Sequence, residues 1–129
     1  MSNSYRDLIA WQKALALVTS VYKWTKRFPK SEQYGLTSQM QRAAISIVAN
    51  IAEGQGRKTE AQFQYFLSNA KGSIHELETY IFIAANLGYF TTELKEQALR
   101  DADEVSRLIN GLIRSLERDD SVRAVATGN

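Results

Sequence analysis

The chain has 129 residues, which is most simply one domain long enough to bury a core unaided. It contains no cysteine, so a disulfide framework and a cysteine-based metal site are excluded. No stretch approaches the roughly 20 apolar residues of a membrane span, because charges interrupt every apolar segment. The N-terminus lacks the apolar run and small-residue cleavage site of a signal peptide, and the missing cysteine fits a reducing compartment, so the expected location is the cytoplasm.

Net charge is only +2, but it is unevenly placed. Residues 1–58 carry 9 basic and 3 acidic side chains, and residues 59–129 carry 7 and 11. A basic first half points to a face for nucleic acid or an acidic partner; the competing reading is an ordinary solvated helical surface.

In chain order, Leu8, Trp11, Leu15, Val18, Tyr22 and Thr25 recur in steps of three and four. That predicts a first helix over about Asp7 to Arg27, with Asp7 and Lys26-Arg27 matched to the helix dipole. Ala14, Leu17, Val21 and Trp24 form a second apolar row beside the first. Phe28-Pro29 ends the helix, since the residue before proline avoids helical geometry.

Helix two is predicted from a cap at Thr37 or Ser38 to about Glu53, with Met40, Ala43-Ala44, Ile47 and Ile51 as its apolar stripe. Gly54 and Gly56 read as helix terminators; a lone Gly-x-Gly without a preceding strand is a poor phosphate loop. Beside the stripe runs a polar line of Arg42, Ser46, Asn50, Glu53 and Arg57, which needs partners if buried. Arg42, Asn50, Glu53 and Glu76 are therefore candidates for a structural carboxylate–guanidinium network.

Thr59-Glu60-Ala61-Gln62 is a capping-box pattern opening helix three. Phe63, Leu67, Ala70, Ile74, Leu77, Ile81 and Ala84 form an unbroken heptad seam to about Leu87, beside a row of Phe66, Ser73, Tyr80 and Leu87. Gly88 closes it. Gly72, mid-helix, implies close approach by a neighbouring helix. Thr91 or Thr92 caps helix four, whose seam is Leu94, Ala98, Ala102, Val105, Ile109, Leu112 and Leu116. Periodicity fades after residue 118, so 119–129 reads as a disordered tail.

Four amphipathic helices with short links predict an all-α, antiparallel up-down-up-down four-helix bundle over residues 1–118. Apolar faces wider than one seam predict a homo-oligomer, with Ala14, Val21, Phe66 and Tyr80 at or near the contact.

Catalytic patterns are absent. The single histidine, His75, lacks the partner of a zinc-protease motif, and the Glu-x-x-His pairs of a di-iron bundle are missing. No serine has a recognisable base. Neither a cofactor nor a metal is expected, and the chain is read as non-enzymatic. The functional candidates are Lys23, Lys26, Arg27, Lys30, Arg42, Arg57 and Lys58, with Trp24 and Phe28 interleaved. Such a set would bind phosphates without reading sequence. The alternatives are a protein-interaction scaffold, or simple solubility with the aromatics packed inward.

Several runs carry a family resemblance: Trp11-Gln12-Lys13-Ala14, Gln39-Met40, Arg42-Ala43, Ser46-Ile47, and Asn50-Ile51-Ala52-Glu53-Gly54 followed by Gly56-Arg57. Helix three adds Phe66-Leu67, Gly72-Ser73, Glu76-Leu77-Glu78 and Leu87-Gly88-Tyr89. Over about residues 5–118 the chain resembles the small bacterial four-helix proteins named for the intervening sequences of 23S ribosomal RNA. The resemblance implies a ring-like homopentamer. It also implies similarity to the accessory variability protein of diversity-generating retroelements, a basic pentamer that binds nucleic acid and a reverse transcriptase. RNA, DNA or a reverse transcriptase are thus the implied partners.

Overall fold

A computed structural model describes the backbone of residues 4–126 and the side chains of residues 4–119. Among the described residues every regular element is a helix, with no strand. A 3-10 turn (Tyr5–Asp7) precedes α1 (Ile9–Thr25). A second 3-10 turn (Lys30–Glu32) leads into α2 (Leu36–Gln55), followed by α3 (Glu60–Asn86) and α4 (Thr92–Ala126). The fourth helix thus runs beyond residue 118 into the stretch expected as a tail; residues 127–129 lie outside the described ones.

Each helix touches its chain neighbours, and α1 also touches α4. The contact between α2 and α3 is the most extensive. Ser46 of α2 faces Ser73 of α3, and Gly54 faces Phe63 and Phe66. Lys13 of α1 pairs with Glu104 of α4 at 3.7 Å, while Trp24, near the end of α1, meets Phe90 just before α4.

The seams predicted for α3 and α4 face the core, with Phe63, Leu94, Leu112 and Leu116 half-buried toward their ends. Leu67, Ala70, Ile74, Leu77, Ile81 and Ala84 are in the core, as are Ala98, Ala102, Val105 and Ile109. Burying such side chains contributes about 1.5–3 kcal/mol for each large one. Thr59 caps α3 by accepting from the Gln62 amide at 3.1 Å, and Thr91 accepts from Leu94 at 3.1 Å before α4. Gly88 has a φ of 81°, the left-handed geometry expected where α3 stops.

Helix α1 is rotated from expectation. Its buried row is Ala10, Ala14, Leu17, Val21 and Thr25, while Leu15 and Tyr22 of the predicted seam are exposed. Two adjacent apolar rows competed, and the row with the small Ala10 and Ala14 took the centre. Ala14 and Val21 are therefore core residues within one chain and cannot serve as oligomer contacts. Phe66 and Tyr80 are half-buried.

Helix α2 begins earlier than predicted, and neither Thr37 nor Ser38 supplies its cap. The Leu36 amide instead donates to Glu32 Oε1 at 3.2 Å. Glu32 Oε2 accepts from the Tyr89 hydroxyl at 2.8 Å, so one carboxylate ties the α1–α2 link to the α3–α4 link. That hydrogen bond, then burial and the nearby charge, raise the Tyr89 hydroxyl above its ordinary pKa. A raised value favours the neutral form in the folded chain. The contribution is fully present below about pH 10 and is lost as pH rises through the raised value.

Two glycines behave differently from expectation. Gly54 lies inside α2 and is buried, whereas Gly56 does end the helix as expected, with a φ of −79° rather than left-handed geometry. A Cβ on Gly54 would sit 2.9 Å from both Phe63 Cδ1 and Phe66 Cβ. Close approach of α3, rather than a turn, requires glycine there. Gly72 is the reverse: it is exposed, and a Cβ there would meet nothing within 4 Å. No helix of the same chain explains it.

Candidate nucleic-acid interface

The polar line on α2 resolves into two separate arrangements. Ser46 and Ser73 share a hydrogen bond of 2.8 Å across the α2–α3 contact. Asn50 Nδ2 donates to Ser46 Oγ at 3.1 Å, and Ser73 Oγ donates to the Asn69 carbonyl at 3.3 Å. If Ser46 is the donor to Ser73, each hydroxyl accepts one bond and donates one. This satisfies polar groups that would otherwise be costly at a helix contact. Further along, Arg57 pairs with Glu53 one turn earlier, and its guanidinium lies 4.8 Å from the Phe66 ring centre. Arg42 and Glu76 are exposed, and no ion pair among the described residues joins them to either arrangement. The expected network of Arg42, Asn50, Glu53 and Glu76 is therefore corrected: Glu53 pairs with Arg57, Asn50 with Ser46, and the other two face solvent.

The seven candidate cations divide between the two ends of α2. At 1.5 Å per residue this 20-residue helix is about 30 Å long. Lys23, Lys26, Arg27 and Lys30 lie before its start, Arg42 in its first half, and Arg57 and Lys58 beyond its end. All seven side chains are exposed. Among the described residues, Arg57 is the one member of the set held in an ion pair. The first end thus presents four unpaired cations along a short segment. The single acid of its link, Glu32, is occupied by Leu36 and Tyr89.

The aromatics expected to interleave with this charge are mostly turned inward. Phe28 is buried and meets Tyr89 at 5.2 Å and Phe90 at 5.5 Å between ring centres. Trp24 is half-buried, with its ring 5.9 Å from Phe90. They anchor the end of the molecule rather than offer a contact surface. The most exposed ring of this end is Tyr34, in the link between α1 and α2, where helical periodicity gives no signal. An aromatic inside Ser31-Glu32-Gln33-Tyr34-Gly35 was the available signal.

Among the described residues no group of three His, Asp or Glu side chains could hold a metal, and no helix is long and apolar enough to cross a membrane. His75 is exposed.

Comparison with known proteins agrees with the fold. The chain is similar in structure to a protein of unknown function from the S23 ribosomal protein family of Bacteroides thetaiotaomicron. The TM-score is 0.76 at 22% identity, over 82% of this chain and 96% of that one. No curated protein matches the chain. The family model described as 23S rRNA-intervening sequence protein matches residues 6–111, which is most of the chain. This chain therefore belongs to the 23S rRNA-intervening sequence protein family.

Proposed function

We propose that this chain is a non-catalytic, oligomeric four-helix bundle in the cytoplasm that binds the phosphate backbone of RNA or DNA through the α1–α2 end. The observation that carries the reading is the set Lys23, Lys26, Arg27 and Lys30: exposed, close in sequence, and without an ion pair among the described residues. Unpaired cations attract phosphates and release counterions when they bind them. The contacts of α2 with α3 and of α1 with α4 run in opposite chain directions, which supports an antiparallel up-down-up-down arrangement. Binding to an RNA hairpin and a DNA duplex, followed across a salt series, tests the function. Affinity should fall steeply, with a log–log slope of about −0.9 for each phosphate neutralised on duplex DNA. No binding at low salt, or binding indifferent to salt, removes the basis of the reading.

Assembly into a homo-oligomer, a pentamer by family resemblance, is supported by apolar side chains left outside. Tyr65 is 63% exposed, with Ile83 on the same outer face of α3, while Phe82 is exposed beside Lys95 of α4 and Ile45 is exposed on α2. Gly72 lies between Tyr65 and Ile83 on that face, where a helix of another copy has room to approach. A closed ring would repeat the basic end around one axis. Light scattering at micromolar concentration should give a mass of several chains; a clean monomer contradicts the assembly. The same exposed rings favour a second reading, a scaffold that binds another protein such as a reverse transcriptase without touching nucleic acid. Retained assembly with no nucleic-acid affinity at low salt is its signature.

A further inference from the structure

In the link where α1 passes to α2, one ring is left out of the aromatic cluster. Tyr34 is 89% exposed, the most exposed large hydrophobic side chain among the described residues. Its turn is nevertheless fixed. The Gln33 amide donates to the Lys30 carbonyl at 3.0 Å, and the Gly35 amide donates to the Glu32 carbonyl at 3.0 Å. The Glu32 side chain is held by Leu36 at 3.2 Å and Tyr89 at 2.8 Å. A Cβ on Gly35 would come within 3.0 Å of that same carboxylate, so the glycine leaves room for the clamp.

A rigid turn that displays an aromatic ring to water buries nothing by doing so. Its setting is cationic: Lys26, Arg27 and Lys30 precede it, all exposed. Lys30 lies four residues before Tyr34, so their Cα atoms are at most about 14 Å apart. Cations beside an exposed ring form the arrangement by which proteins hold single strands, with phosphates on the charges and a base face on the ring. In a duplex the base faces are covered by stacking and are not offered.

We propose that Tyr34 is a stacking platform for an unpaired nucleobase, with the flanking phosphates held by Lys26, Arg27 and Lys30. The ligand class is single-stranded RNA or DNA, including the unpaired loop of a folded RNA. The inference rests on the phosphate-binding reading of this end and adds that a base is held there as well.

The test uses the full chain and its Tyr34→Ala and Tyr34→Trp variants. Affinities are measured at low salt for a short oligouridine, an oligothymidine, an abasic deoxyribose-phosphate strand and a duplex, all of one length. Tyr34→Ala should weaken binding of the two base-bearing single strands about five- to 150-fold, and leave the abasic strand and the duplex unchanged. Tyr34→Trp should retain binding. Equal losses on oligouridine and oligothymidine mean that the shared base face alone is held; a loss on one of them means that the sugar or the thymine methyl is sensed too, and both support the platform. Wild-type affinity in Tyr34→Ala, with weakened binding in Lys26→Ala or Lys30→Ala, overturns the stacking role and leaves the phosphate reading standing. Equal weakening on the duplex, or a changed subunit count in Tyr34→Ala, also overturns it. Absence of binding to every strand in the wild type overturns the phosphate reading, and this inference with it.

Discussion

Replacing Gly54 by valine is expected to cost about 3 kcal/mol or more of stability, read as a lowered urea midpoint. The new Cβ would stand 2.9 Å from Phe63 Cδ1 and Phe66 Cβ and 3.3 Å from the Phe63 carbonyl oxygen. A phenylalanine ring can turn aside, but a Cβ and a carbonyl are fixed to the α3 backbone, so α2 and α3 must separate. Their contact is the most extensive in the molecule, and Ser46 and Ser73 depend on its spacing. Even Gly54→Ala should lose stability, although alanine is favoured over glycine inside a helix by about 1 kcal/mol. Gly72→Ala supplies the control: with nothing within 4 Å of the new methyl, the chain itself should gain about 1 kcal/mol. A Gly54→Ala variant as stable as Gly72→Ala would show that the close approach is not a constraint.

The second large effect concerns binding. Changing Lys26, Arg27 and Lys30 together to alanine should weaken nucleic-acid affinity by about a hundredfold or more at low salt and reduce the salt slope by about 3. The loss should be similar for unrelated sequences, because phosphates carry no base identity. The fold should be unaffected, since all three side chains are exposed. Changing Arg57 and Lys58 should matter less. Arg57 is already paired with Glu53 and lies over the Phe66 ring, so moving it to a phosphate means giving up both contacts. Equal losses from the two ends would place the binding surface along the whole side of α2.

How legible the fold was in the sequence depended on how many apolar rows each helix carries. In α3 and α4 one unbroken seam decides the rotation and its middle residues are buried, while the second row of α3 lies at the edge, with Ser73 buried, Phe66 and Tyr80 half-buried and Leu87 exposed. In α1 two rows lie side by side, and spacing cannot say which faces the centre. The outcome turned on Ala10 and Ala14, whose small side chains suit a close contact, and it moved Ala14 and Val21 from the expected interface into the core. Caps formed by near neighbours, such as Thr59 with Gln62, were readable. The clamp of Glu32 on Tyr89 was not, because it joins residues 57 positions apart. Gly54 looked like a terminator because its neighbours Phe63 and Phe66 reach it only after the chain has turned back. For the site, composition located the charge but not its division between two ends of a helix. Tyr34 gave no periodic signal, and its exposure follows from a turn held by long-range contacts.

Lysine-reactivity footprinting reads the binding end directly. The intact protein is labelled with an amine-specific reagent, with and without a saturating single-stranded RNA, and each lysine is quantified by mass spectrometry. Lys23, Lys26 and Lys30 should be protected by the RNA, while Lys58, at the far end of α2, should keep its free reactivity. Protection of Lys58 with Lys26 and Lys30 still fully reactive would contradict the assignment of nucleic-acid binding to the α1–α2 end.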